Sequence, residues 1–185
     1  MIENEDLTIY FGSSEPIAEP SHSPDELKKL DDLGMIGKRT LESKGFYVRI
    51  ASPAQAGPRR ERGNVVVLVV EDDKDTATVI QKVLETAGYR TRHARTRAEI
   101  VAGISALPAP DLVILDVTLP DVDGFDVLNR MRQHHRFRPI PVLMFTGHCQ
   151  RRDVTKGLAL GADGYLTKPA APSALLDAVN SIVGS

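Results

Sequence analysis

The chain has 185 residues, 42% hydrophobic and 26% charged, with a net charge of −2 and one cysteine, Cys149. That length suits one ordinary domain plus an extension, the charge gives no general field for nucleic acid or membrane, and one cysteine excludes an intrachain disulfide. No apolar run approaches the roughly 18 residues that span a bilayer, and the acidic start is unlike a secretory leader, so a soluble cytoplasmic protein is expected.

Charge divides the chain unevenly. It is acid-rich up to Asp32, base-rich from Leu33 to Gly63, and balanced beyond. This partition, with the Pro/Gly-rich and charged stretch SPAQAGPRRERG at 52–63, predicts an N-terminal extension over 1–51, a linker over 52–63 and a main domain over 64–185. In the extension, Leu7–Phe11 and Phe46–Ile50 read as short strands. Ser23-Pro24-Asp25-Glu26 reads as a helix start, with a serine cap and proline in the first turn, continued by Leu27 and Leu30 and ended near Gly34. The extension is expected to be a small α+β unit or partly disordered.

From residue 64 the pattern alternates. Val65–Val70 is a β-branched apolar run, as expected of a strand buried on both faces. Ala77, Ile80, Leu84 and Ala87 form a helical stripe that Gly88 stops. Tyr89–Ala94, rich in arginine, suits a sheet edge. Ile100, Ile104 and Leu107 give a second helical stripe before Pro108, and Leu112–Leu115 a second buried strand. Phe125 and Leu128 open a third helix, Ile140–Phe145 is a third apolar run, Val154 and Leu158 mark a fourth helix, Tyr165–Leu166 a short strand, and Leu175, Val179 and Ile182 a last helix. Five strand–helix alternations argue for an α/β fold, a doubly wound parallel sheet. Ligands of such sheets bind beyond the carboxyl ends of the strands.

Those ends carry chemistry. The first buried strand ends in Glu71-Asp72-Asp73 and the second in Asp116. Converging carboxylates repel and lose hydration, and a bound cation relieves both costs; oxygen-only ligands favour Mg²⁺ over Zn²⁺. The third apolar run ends in Thr146-Gly147 and the last strand in Lys168-Pro169, adding a hydroxyl and an ammonium to the same rim. Carboxylate nucleophile, divalent cation, hydroxyl and lysine are together the parts needed to receive a phosphoryl group. Pro169 makes a cis Lys168–Pro169 bond an option.

The runs VVVLVVEDD (65–73), DLVILDVTLPDVDGFDVL (111–128), PVLMFTG (141–147) and GADGYLTKP (161–169) resemble the receiver domain of bacterial two-component response regulators, over residues 64–185. The resemblance implies a flavodoxin-like, five-stranded sheet of order 2-1-3-4-5. It implies Asp116 as phosphoacceptor, Glu71 and Asp72 as the acidic pair around Mg²⁺, and the Thr118 backbone carbonyl as a further ligand. It also implies Thr146 as switch hydroxyl, Lys168 as phosphate-binding lysine and Tyr165 as the aromatic that turns inward when the hydroxyl moves. Glu71 stands where the family often has aspartate. His148 lies at a variable position expected to influence phosphate lifetime.

Blander roles stand beside these. Asp73 reads as a helix cap. Arg90, Arg92, Arg95 and Arg97, and again Arg130, Arg132, Arg136 and Arg138, read as solvated edges and helix ends. His134-His135 reads as surface loop, and nothing marks Cys149 as activated.

The leading expectation is a response regulator without a DNA-binding output domain, because the main domain runs to the end of the chain. Its phosphodonor would be a sensor histidine kinase or phosphotransfer protein, and its output an unidentified protein or a homodimer, with no nucleic acid and no membrane insertion. Its only reactions would be Mg²⁺-dependent self-phosphorylation and autodephosphorylation. The competing reading is a phosphorylation-independent interaction module. A hydrolase of the haloacid-dehalogenase type would require an acid/base aspartate where Thr118 stands.

Overall fold

The computed structural model describes residues 21–30, 32, 46–48 and 62–184. Residues 24–30 are helical, and the start is a capping box: the Glu26 N–H donates to Ser23 Oγ (3.3 Å) and the Ser23 N–H to Glu26 Oε2 (2.8 Å), satisfying two helix-end donors reciprocally. The expected strand at Leu7–Phe11 and helix end at Gly34 lie outside the described residues.

Eleven strands and helices follow, with a short 3₁₀ turn at Arg62–Asn64. They are β1 (Phe46–Val48), β2 (Val66–Val70), α1 (Lys74–Thr86), β3 (Arg90–Ala94), α2 (Arg97–Ser105), β4 (Leu112–Leu115), α3 (Gly124–Gln133), β5 (Val142–Thr146), α4 (Arg151–Ala159), β6 (Gly164–Thr167) and α5 (Pro172–Val183). The sheet order is β1-β6-β5-β4-β2-β3. β2 to β6 are parallel and β1 joins β6 antiparallel. Counted from β2, the five parallel strands run 2-1-3-4-5, as expected; β1 adds a sixth at the β6 edge.

Burial explains the pattern. β2, β4 and β5 are covered on both faces, and every residue in them is buried. One core packs α2, α3 and α4 against the sheet through Ile100, Ile104, Leu128, Met131 and Val154. The other packs α1 and α5 through Ile80, Leu84, Leu175 and Val179. Full burial of each such aliphatic side chain contributes roughly 1.5–3 kcal/mol before conformational entropy is counted. Polar β3 takes the open edge beside β2, and α1 ends at Thr86, just ahead of Gly88, whose φ of +90° continues no helix.

Two expectations are corrected. Leu107 does not extend the stripe of α2: the helix ends at Ser105, and Leu107 is 86% exposed ahead of the cis Pro108. Arg130 and Arg132 are not solvated. Arg130 is 2% exposed and bonds Asp126 one turn earlier (2.8 Å). Arg132 donates to the carbonyls of Gly161 (2.8 Å), Arg138 (3.2 Å) and Ile140 (2.9 Å) and to Asp163 Oδ2 (2.9 Å). A guanidinium has five donors in a planar fork, so one side chain can tie three loop carbonyls to a carboxylate.

Candidate functional site: an acidic rim at the strand ends

The backbone ladder sets the site. The Glu71 N–H donates to the Ala94 carbonyl (3.1 Å), that of Asp116 to Val70 (3.0 Å), and that of Lys168 to Thr146 (2.9 Å). Each polar residue therefore sits one step beyond its strand, beside its neighbour's tip. Ligand oxygens of Glu71, Asp72 and Asp116 lie within 4.8 Å of one another. Glu71 and Asp116 are buried while Asp72 is exposed, so two ligands are held by packing and the third faces solvent.

Lys168 Nζ donates to Asp116 Oδ2 (2.6 Å) and also to Glu71 Oε2, and lies 5.4 Å from the centre of the Phe145 ring. Burial alone would lower the lysine pKa; the bonds to Asp116 and Glu71 outweigh it and raise it. Glu71 is pushed up, first by burial and further by Asp116, with Lys168 opposing. His93, on the edge strand, bonds the Glu71 carbonyl through Nε2 (2.7 Å). A carbonyl only accepts, so Nε2 carries the proton there.

The loop after Asp116 closes tightly. The Thr118 N–H donates to Asp116 Oδ1 (3.3 Å), Thr118 bridges to Asp123, and Asp123 caps α3 by accepting from the Phe125 N–H (2.7 Å). A Cβ on Gly124 would lie 2.1 Å from the Asp116 carbonyl oxygen and 2.7 Å from Val117 Cα. Both are backbone atoms that cannot swing aside. Gly124→Ala is therefore expected to destabilise the fold by roughly 2–3 kcal/mol and to weaken Mg²⁺ binding, read by urea unfolding and by cation titration.

The remaining predicted residues gather on the far side. Thr146 is fully buried, and its Oγ1 accepts from the His148 N–H (3.2 Å). His148 Nε2 lies 3.3 Å from Thr118 Oγ1, bridging the two loops that flank Asp116. The Tyr165 ring is already inside, with no exposed surface; its hydroxyl donates to the His148 carbonyl (2.8 Å), and burial pushes its pKa up. Asp73 caps α1 through the Thr76 N–H (2.8 Å), the role expected of it, and the Lys168–Pro169 peptide is cis. The links made by His93 and His148 were not foreseen; each joins residues far apart in the chain.

A family model of the response regulator receiver domain matches residues 67–180. The chain belongs to this family. Among relatives, the receiver is 35% identical over 117 residues to the transcriptional regulatory protein GltR of Pseudomonas aeruginosa, covering 63% of this chain and 48% of that protein. It is 37% identical over 120 residues to the alkaline phosphatase synthesis transcriptional regulatory protein PhoP of Bacillus subtilis, covering 65% and 49%. The chain thus spans about half the length of these relatives. Among solved structures, the CheY-like receiver domain protein of Methanospirillum hungatei superposes with a TM-score of 0.59 at 29% identity, over 65% of this chain and 94% of that one. The chemotaxis response regulator CheY4 of Vibrio cholerae gives 0.60 at 29%, over 64% and 98%.

Receiver domains of two-component systems are phosphoacceptors that bind Mg²⁺ at an acidic cluster. The donor set here fits that ion: three carboxylates, no nitrogen or sulfur, and one ligand open to water. Among the described residues no helix is long and apolar enough to cross a membrane.

Proposed function

We propose that the protein is a cytoplasmic response regulator that accepts a phosphoryl group on Asp116 from a phosphohistidine of a sensor kinase or phosphotransfer protein. The observation that supports this best is the convergence of Asp116, Glu71 and Asp72 on one point with the Lys168 ammonium bonded to two of them. An Asp116 carboxylate oxygen attacks phosphorus, the bond to the donor imidazole nitrogen breaks, and that nitrogen keeps the electron pair. Glu71, Asp72, Asp116 and the Thr118 carbonyl would hold Mg²⁺, which would supply charge neutralisation at the phosphoryl oxygens. Lys168 shifts from balancing the carboxylates to bonding a phosphoryl oxygen, and Thr146 donates its hydroxyl to another. Self-phosphorylation and autodephosphorylation are the only reactions proposed, and His148, beside Thr118, is assigned an influence on phosphate lifetime.

We assign residues 64–185 to the receiver, 1–51 to an extension and 52–63 to the join between them. Output from this chain is assigned to contacts with a protein partner. The inward Tyr165 also favours a second reading, an interaction module already set without phosphate. Incubation with acetyl phosphate and Mg²⁺ separates the two. One phosphoryl group is expected on the wild-type chain and none on Asp116→Asn, with partner binding changed only in the former. Full partner binding by Asp116→Asn would favour the module.

A further inference from the structure

The sixth strand is the feature that the receiver reading leaves unused. β6 would otherwise be an open edge of a parallel sheet, and such an edge invites pairing with other chains. β1 closes it, in the register Phe46↔Leu166, Tyr47↔Tyr165, Val48↔Gly164. Its middle pair falls on Tyr165, the residue whose hydroxyl is tied to His148, and the His148 N–H is in turn tied to Thr146 Oγ1. Bonded contacts thus run from the rim to the strand that carries the extension.

The path has little slack. Tyr165 is fully buried, and a Cβ on Gly157 would stand 3.0 Å from its Cε2 and 3.6 Å from Phe125 Cε1. The ring is therefore packed tightly against α4. By contrast, β1 has only three paired residues, and so short an edge strand sits at the low end of local stability. The chain approaches β2 through Arg62, which bonds Asn180 Oδ1 of α5 (3.3 Å) beside the Tyr89 ring. Release of β1 would leave that bond of Arg62 to α5 in place.

We propose that β1 is a releasable cap on the β6 edge, held while Asp116 is unmodified and let go on phosphorylation. The proposal rests on the phosphoacceptor reading of Asp116. When Thr146 turns its hydroxyl to a phosphoryl oxygen, the His148 N–H loses its acceptor. The loop that holds the Tyr165 hydroxyl then shifts, and the weakest neighbour of β6 gives way.

Hydrogen exchange of the full-length chain, with and without beryllofluoride and Mg²⁺, tests this. The peptide containing 46–48 is expected to exchange at least tenfold faster with beryllofluoride, while β2 and β4 stay protected. Tyr165→Phe keeps the ring and removes the hydroxyl, so the change on adding beryllofluoride should shrink below about twofold. Unchanged exchange at 46–48, with fluorine NMR showing the adduct on Asp116, overturns the cap and leaves the phosphoacceptor intact. Absence of any adduct overturns the phosphoacceptor reading, and the cap with it.

Discussion

Lys168→Met is expected to move two measurements in opposite directions. Transfer from acetyl phosphate to Asp116 should fall by roughly a hundredfold or more, the usual loss when a charged donor to a developing oxyanion is removed. Mg²⁺ should nonetheless bind more tightly, by roughly tenfold or about 1.4 kcal/mol. The ammonium now sits 2.6 Å from Asp116 and against Glu71, repelling any cation that approaches the same oxygens. Without it, two buried carboxylates face each other with no counter-charge, and a cation becomes the remaining remedy. The chain has no tryptophan, so calorimetry or NMR would follow the ion. Weaker Mg²⁺ binding in Lys168→Met would mean that the lysine builds the ion site instead of competing with it.

The largest loss of stability is expected far from the rim, at Arg132. Arg132→Met removes one guanidinium, taking a donor from three carbonyls and the counter-charge from the Asp163 carboxylate. Breaking such a part-buried ionic network from one side costs roughly 3–5 kcal/mol, a large share of the 5–15 kcal/mol typical of a domain. Asp163→Asn should cost less, roughly 1–2 kcal/mol, because its side-chain oxygen can still accept from the Val142 N–H, now bonded at 2.8 Å. Urea midpoints with unchanged slope would establish that order. A milder Arg132→Met than Asp163→Asn would show that water readily satisfies the loop carbonyls.

Much of the fold was legible because buried parallel strands are long apolar runs with polar tips. Val65–Val70, Leu112–Leu115 and Ile140–Phe145 announced themselves in that way, and Asp116, Thr146 and Lys168 stood at their ends or at that of the last strand. The rest depended on partners that local patterns do not name. Arg132 reads as a solvated charge until Asp163, thirty-one positions on, is placed beside it. His93 and His148 acquire their bonds only when the sheet sets neighbouring tips side by side. Leu107 fits helical spacing, yet Ala106 already has extended backbone, and the chain turns into Pro108. Phe46–Ile50 looked like a strand, and residues 46–48 are one. Three residues carry too little periodicity to specify an edge or a register.

The two ends of the sheet treat the same functional group in opposite ways. At the amino ends of the strands, Asp111 Oδ2 accepts from the Val66 N–H (2.9 Å) and Asp163 Oδ2 from that of Val142. Main-chain amides there consume oxygen lone pairs as the chain enters the sheet, and these acids serve as fixed struts. At the opposite pole one flexible ammonium, that of Lys168, bridges Glu71 and Asp116, and it can be displaced. Ion-dependent behaviour is thereby confined to one pole, and acids at the other can keep the architecture constant while the first changes its chemical state.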